Sequence, residues 1–242
     1  MGKIGELLKN EKVEWKKLWE VTIWDKNFNG VEKFKQNKTI KYHYYLSWEL
    51  KDLSSENGMI KILTTNKTNL YANEENVKNN ISDNEIVCIP WGGNPIVQYY
   101  KGKFITGDNR IATSFDKEKL NNKFLYYTLS NKIDLISSFY RGSGIKHPDM
   151  CKVLDLQIPI PPIKVQEKIV SILDKFTELQ AELQAELQAR KKQYEYYRNL
   201  LLSEDYLNEN SKQIGKVEYK RLGEIGEIQV ISPKKKLKNK NI

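Results

Sequence analysis

The sequence predicts a mixed α/β domain, then one long coiled-coil-type helix, then the truncated start of a second domain. Three observations lead there. Short β-branched and alternating stretches recur between Val13 and Pro159, interrupted by one helical stretch. Val165–Ser203 contains neither Gly nor Pro and is rich in good helix formers. The segment KVEWKKLWEV at Lys12–Val21 returns as KVEYKRLGEI at Lys216–Ile225, with six of ten positions identical and a constant offset of 204 residues. Self-similarity at a fixed offset marks one structural unit closing and another opening. The domain boundaries follow: 1–160, 161–207 and 208–242.

Within the first domain, strands are expected at Val13–Trp24, Thr39–Trp48, Met59–Thr65, Glu85–Pro90, Ile96–Tyr100, Phe104–Thr106 and Arg110–Phe115. Gly92-Gly93-Asn94-Pro95 and Lys101-Gly102-Lys103 have the chemistry of turns between them. Lys119–Tyr140 has an apolar face at helical spacing: Leu120, Phe124, Tyr127, Leu129, Ile133, Ile136 and Phe139. Arg141-Gly142-Ser143-Gly144 ends that helix, His147–Leu154 leads on, and Asp155–Ile160 is the last strand. Pro159-Ile160-Pro161-Pro162 forces extended chain before the next helix.

The long helix would run roughly 58 Å at ~1.5 Å per residue. Its apolar stripe is Ile169, Ile172, Phe176, Leu179, Leu183, Leu187, Arg190, Tyr194, Tyr197 and Leu201. The steps alternate between three and four with one extra step of four, a heptad seam with a stutter. The stutter falls in TELQ-AELQ-AELQ, residues 177–188. Each tandem unit adds ~6 Å and a net rotation of about 40°, so the tandem is either helix filler or a length adjuster. Glu178, Glu182 and Glu186 form an acidic row that phosphate would repel, so the helix reads as a protein–protein element. A narrow seam of this length needs a partner helix.

The net charge is +9 and the isoelectric point about 9.2. That favours anionic partners, nucleic acid first. No apolar run approaches a membrane span of about 20 residues, and the opening MGKIGELLKN lacks an apolar signal core, so a cytoplasmic protein is expected. Cys88 and Cys151 are too few and too far apart for a metal site or disulfide framework; both are expected as small core residues. Phosphate loops and dinucleotide fingerprints are missing. His43 and His147 are too few for most metal sites. No catalytic residue, cofactor or metal is therefore expected. The basic and aromatic residues offer a binding surface instead. Lys41, Trp91, Asn94, Lys101, Lys103, Arg110, Arg141, Ser143 and Lys146 are the candidate DNA contacts, with Arg110, Arg141 and Lys146 foremost. Such side chains bond base edges or phosphates.

Taken together, Gly142-Ser143-Gly144, the run Ile158–Pro162, Val165-Gln166-Glu167-Lys168-Ile169-Val170-Ser171-Ile172-Leu173 and the restarts at Val13 and Val217 resemble the specificity subunit of type I restriction-modification systems. The resemblance covers nearly the whole chain. It implies a target-recognition domain that reads half of a split site in double-stranded DNA. Two long helices would hold two such domains apart and dock methyltransferase subunits, with a restriction subunit completing the complex. It also implies that tandem repeats in the helix tune the spacing and that the subunit itself is not an enzyme. On this reading the second unit stops after its opening strand, giving a half-length subunit. An antiparallel homodimer through the helix would then rebuild the two-domain layout. The alternative is a coiled-coil scaffold with a basic RNA- or protein-binding domain.

Overall fold

The computed structural model describes residues 11–77, 80–210, 218 and 220–226. The chain divides into two compact units, Met1–Thr177 and Glu178–Ile242. The division falls inside the long helix.

The first unit is built on a six-stranded sheet of order β2-β7-β5-β6-β3-β4. Its strands are β2 (Thr22–Trp24), β3 (Ile60–Leu63), β4 (Tyr71–Ala72), β5 (Ser82–Pro90), β6 (Gln98–Thr106) and β7 (Asn109–Ser114). Only the β3–β6 pair is parallel. At the middle, β5 buries the successive residues Ile86, Val87, Cys88 and Ile89. A strand covered on both faces reads as a continuous apolar run rather than an alternation. On one side lie α4 (Asn122–Asn131) and α5 (Ile133–Ser138), with Leu120, Phe124, Leu125, Leu129 and Ile136 in the main core. Asn121 caps α4 by accepting the N–H groups of Lys123 and Phe124.

Two expected strands are not continuous. Val13–Trp24 is β1 (Glu14–Lys17), then one helical turn α1 (Leu18–Val21), then β2. The Glu20 carboxylate accepts the Lys17 backbone N–H at 2.6 Å and turns the chain into that helix. Thr39–Trp48 is mostly irregular, with single bridges at Thr39 and Tyr44, and its end enters α2 (Ser47–Leu53). There Glu49 accepts the Leu46 N–H at 2.6 Å. A glutamate three residues into an aromatic stretch was the competing helix signal. Conversely, Lys101-Gly102-Lys103 is no turn. It lies mid-strand in one continuous β6, where Gly102 takes φ +126° opposite Asn84. A short helix, α3 (Glu74–Val77), and a 3-10 turn at Lys33–Gln36 had no legible signal.

The domain closes on itself through its ends. β1 pairs antiparallel with β10 (Gln157–Ile160), placing Trp15 opposite Pro159. This sheet has two strands, so a proline without N–H is tolerated. Asp155, just ahead of β10, accepts from Lys17 at 3.2 Å and from the nearly buried Lys35 at 3.0 Å. α7 (Ile163–Leu201) follows within two residues of the expected bounds. Its first turn carries Gln166, fully buried. The Gln166 amide accepts the Asn121 N–H at 2.9 Å and donates to the carbonyls of Lys119 (2.7 Å) and Pro161 (2.8 Å). Two turns on, Asp174 accepts from Lys123 at 2.7 Å and from the Tyr127 hydroxyl at 2.6 Å.

In the second unit, α7 ends at Leu201, and the Ser203 hydroxyl accepts the Tyr206 N–H to start α8 (Glu204–Glu209). The sequence repeat recurs as structure. α9 (Leu222–Ile225) lies at the same place in the repeat as α1, and Glu224 accepts the Arg221 N–H as Glu20 accepts that of Lys17. Lys220 pairs with Glu218 at 3.6 Å, as Lys16 pairs with Glu14 at 3.7 Å. The basic tail from Lys234 lies outside the described residues. Among the described residues no helix is long and apolar enough to cross a membrane.

Two stability tests follow from the domain's closure. Gln166→Ala strands the Asn121 N–H and two carbonyls in the interior and should cost about 2–3 kcal/mol in urea unfolding. For Asp155, the hydrogen bond from Lys35 foremost, then that from Lys17, holds the carboxyl below its ordinary 3.8 despite partial burial, which works the other way. A carboxylate depressed on folding contributes stability above its unfolded value and loses it as pH falls through the folded one. Unfolding midpoints should therefore drop as pH falls below about 3.8, and Asp155→Asn should flatten that acid limb.

Candidate nucleic-acid interface

The β5–β6 hairpin loop carries Trp91 and Asn94, and it meets the loop between β8 (Tyr140–Arg141) and β9 (His147–Pro148). Three contacts join the loops. The Gly93 N–H donates to the Lys146 carbonyl at 3.1 Å. The His147 imidazole Nδ1 lies 2.7 Å from the Trp91 carbonyl oxygen, and the two rings sit 5.1 Å apart. Gly92 has Ile145 and His147 so close that a Cβ there would stand 2.9 Å from the Ile145 side chain. At the far end of its loop Gly142 takes φ +143°, and an added Cβ would stand 2.6 Å from the Ile145 carbonyl oxygen. The glycines read as turn residues are thus also what lets the loops approach.

This convergence gathers five candidates. Asn94, Arg141, Ser143 and Lys146 are exposed, and Trp91 is half-buried between them and the core. Arg141 leans on Asp149 at 3.7 Å. The others fall elsewhere. Lys101 and Lys103 lie on β6, three and five residues beyond its start, or roughly 10–17 Å from the hairpin loop at ~3.3 Å per residue. They pair with Glu85 at 4.0 Å and Glu74 at 2.8 Å. Lys41 is exposed on the irregular stretch before Tyr42, whose hydroxyl accepts from Asn84.

Arg110 corrects the sequence reading. It is 4% exposed, so it is not a surface donor. Its guanidinium lies 4.3 Å from the Trp91 ring centre and donates to the Asn109 carbonyl at 2.8 Å and to Asp108 at 2.9 Å. Asp25 lies 3.9 Å away, also buried, and takes the Ile111 N–H at 2.8 Å and a short hydrogen bond from the Tyr44 hydroxyl. Burial pushes the Asp25 carboxyl above its ordinary range even with the Tyr44, Ile111 and Arg110 donors around it. Arg110 thus acts from beneath, as the platform that fixes the Trp91 ring.

Sequence reasoning missed the loop that follows Asp25. Lys26, Asn27 and Asn29 line a cavity of about 320 Å³ with Trp91 and Arg110. The run Asp25-Lys26-Asn27-Phe28-Asn29-Gly30 was the available signal, a polar loop ending in a glycine that takes φ +79°. Cys151 also lines this cavity, with its thiol donating to the Gly30 carbonyl. It is therefore only half-buried, while Cys88 is a core residue as expected. In the helix, Ile169 packs against the domain's own core and Ile172 is half-buried. Phe176, Leu179, Leu183, Leu187, Tyr194, Tyr197 and Leu201 are each at least 46% exposed, so the outer seam has no covering within the described residues.

The structure thus brings two loops with exposed basic residues together on a six-stranded α/β domain closed by the start of a long helix. Residues 47–190 match the family model of the type I restriction modification DNA specificity domain, and the chain belongs to that family. It is 33% identical over 238 residues to a type I restriction enzyme specificity subunit of Escherichia coli, covering 93% of this chain and 51% of the relative. A Haemophilus influenzae protein, likewise named a specificity subunit, is 33% identical over 217 residues, covering 85% and 50%. The chain thus spans about half the length of these curated relatives. In fold it resembles the crystal structure of a type I restriction-modification S subunit from M. genitalium. The TM-score is 0.56 at 20% identity, over 85% of this chain and 50% of that one.

The buried platform makes a distinguishing forecast. Arg110→Ala leaves Asp25 without its cation and should destabilise the domain by about 3–5 kcal/mol in denaturant unfolding. Lys146→Ala, at an exposed position, should leave the midpoint within about 0.5 kcal/mol.

Proposed function

We propose that this chain is the DNA-reading component of a type I restriction-modification complex. Its domain reads one half of a split site in double-stranded DNA, and methyltransferase and restriction subunits supply the chemistry. The observation that carries this is the convergence of the Trp91–Asn94 and Arg141–Lys146 loops on a domain of the specificity family. Asn94, Arg141, Ser143 and Lys146 present side-chain donors of the kind that read base edges, and Trp91 offers an aromatic face. Lys41, Lys101 and Lys103 would contact phosphate at the margin. With a charge of +9 such binding should weaken steeply with salt. In gel shifts with the assembled complex, Lys146→Ala should reduce the log–log salt slope by about one if it meets phosphate. If it meets a base edge it should relax one position of the site. Affinity that is independent of salt, or equal for all sequences, would sink the assignment.

The uncovered seam supports a homodimer. Taken from the ends inward, it pairs Ile169 with Leu201, Ile172 with Tyr197, Phe176 with Tyr194, Leu179 with Arg190 and Leu183 with Leu187. Each pair is centred within about half a residue of position 185, so the seam matches its own reverse. That is the requirement for an antiparallel two-fold pair using one patch twice. Each copy would read the same half-site, and the target would be an interrupted palindrome. Deleting Ala181–Gln184 shortens each helix by ~6 Å. Methylome sequencing of cells carrying that variant should return the same half-sites with the gap shortened by about two base pairs at ~3.4 Å each. A non-palindromic methylated site would defeat the two-fold model.

A further inference from the structure

We infer that the cavity between the Lys26–Gly30 loop and the Trp91 platform takes up one base of the half-site, turned out of the duplex stack. This rests on the DNA-reading assignment above and adds a base pocket to it. The cavity holds about 320 Å³. That is the low end of the ~300–1,000 Å³ of small-molecule sites, room for a flat heterocycle and little more. Its place suits the role. Trp91 belongs to one of the converging loops, and Pro148 and Asp149 directly follow His147 at the edge of the other. The cavity is also built before any ligand arrives, because its loop is pinned at three points. The Asp25 N–H donates to the Ile111 carbonyl at 2.9 Å, and the Phe28 N–H to the buried Gln36 side chain at 2.7 Å. The Gly30 carbonyl accepts the Cys151 thiol at 3.0 Å.

The lining chemistry says what enters. Phe28 and Met150 supply buried apolar wall. Asn27 and Asn29, both exposed, bring carboxamides that donate and accept, and Asp149 brings an acceptor. Arg110 lines the cavity too, and its Nε–H has no partner among the described residues. A donor so buried and left open calls for a ligand or a water. Phosphate is a poor match. The Arg110 charge is already answered by Asp108 at 2.9 Å and Asp25 at 3.9 Å, and Asp149 sets a carboxylate on the wall. A neutral ring with donors and acceptors on its edge is a good one. Proteins that receive an extruded base hold it among apolar or aromatic side chains and bond its Watson–Crick edge.

Cys151 is the reporter, because its half-buried thiol lines the cavity while Cys88 is buried in the core. The complex assembled with methyltransferase subunits is bound to duplexes carrying its target and treated with N-ethylmaleimide, and modification of Cys151 is followed by peptide mass. Intact duplex should block that modification. Removing single bases in turn should find one position in each half-site where the duplex still binds in a gel shift but the thiol reacts as fast as in the free complex. Filling the cavity with Cys151→Phe should weaken binding about tenfold, while Cys151→Ser binds as before. If bound duplex never protects the thiol, or protects it through every base removal that leaves binding intact, the cavity takes no base. The pocket is then overturned and the DNA-reading assignment stands on its gel shift. If the complex binds all sequences equally, the DNA-reading assignment falls and the pocket with it.

Discussion

The first turns of the long helix are held to the domain by a single buried amide. Gln166 saturates the cap of α4 and the last proline corner at once, taking one N–H and giving two. Each of its partners is a backbone group, and two of them belong to the stretch that enters α4 while the third belongs to the corner that precedes α7. A leucine of similar volume would fill the space and leave three backbone groups unpaired, which is costlier than losing packing alone. Asp174 repeats the tie two turns later through Lys123 and Tyr127, but half in solvent, where a charge pair counts for less. The amide therefore sets the register of the helix on the domain, and the ion pair reinforces it.

Below the candidate interface a second buried polar set does the equivalent work. Arg110 and Asp25 sit among β2, β5 and β7, where an unpaired charge would be severely penalised; Asp25 takes the Ile111 N–H and the Tyr44 hydroxyl beside Arg110, and the terminal nitrogens of Arg110 donate to Asn109 and Asp108. The result is a rigid floor under the Trp91 ring. Loops that read DNA need exposed, adaptable donors on a scaffold that does not move. Here the scaffold charge is inside, and the donors of Asn94, Arg141, Ser143 and Lys146 are outside. The two kinds of arginine, Arg110 and Arg141, look alike in sequence and differ entirely in burial.

That difference explains what was legible in the sequence. Patterns extended over many residues were readable: the apolar face of the α4–α5 stretch, the Gly- and Pro-free run of α7, the continuous apolar run of β5. So was the repeat, because α1 and α9 are both set by a glutamate placed to cap its own turn. Short-range competition was not readable. Val13–Trp24 looks like one strand by composition, and a single hydrogen bond from Lys17 to Glu20 breaks it. Lys101-Gly102-Lys103 has turn residues, but seven consecutive pairings between β5 and β6 hold it extended, and glycine simply accepts the unusual φ. The convergence of two loops 50 residues apart in the chain depends on sheet order, which no local pattern carries.

The tandem in α7 reconciles two demands that usually conflict. A seam must keep its face, yet each four-residue unit turns the helix by a net ~40°. TELQ-AELQ-AELQ places a leucine once per unit, at Leu179, Leu183 and Leu187, so gaining or losing one unit leaves a leucine at the seam. Removing the unit Ala181–Gln184 converts the steps to a strict alternation of three and four, an unbroken heptad, with Leu187 falling on the centre. Keeping it gives the stutter and places the centre between Leu183 and Leu187. Both seams match their own reverse. The outer pairs, Ile169 with Leu201 and Phe176 with Tyr194, survive either way because the flanking sequence is fixed and only the middle slides. Length can therefore change in quanta of ~6 Å without redesigning either end of the helix. The acidic row Glu178, Glu182 and Glu186, which advances with the same four-residue step, keeps that adjustable middle away from phosphate.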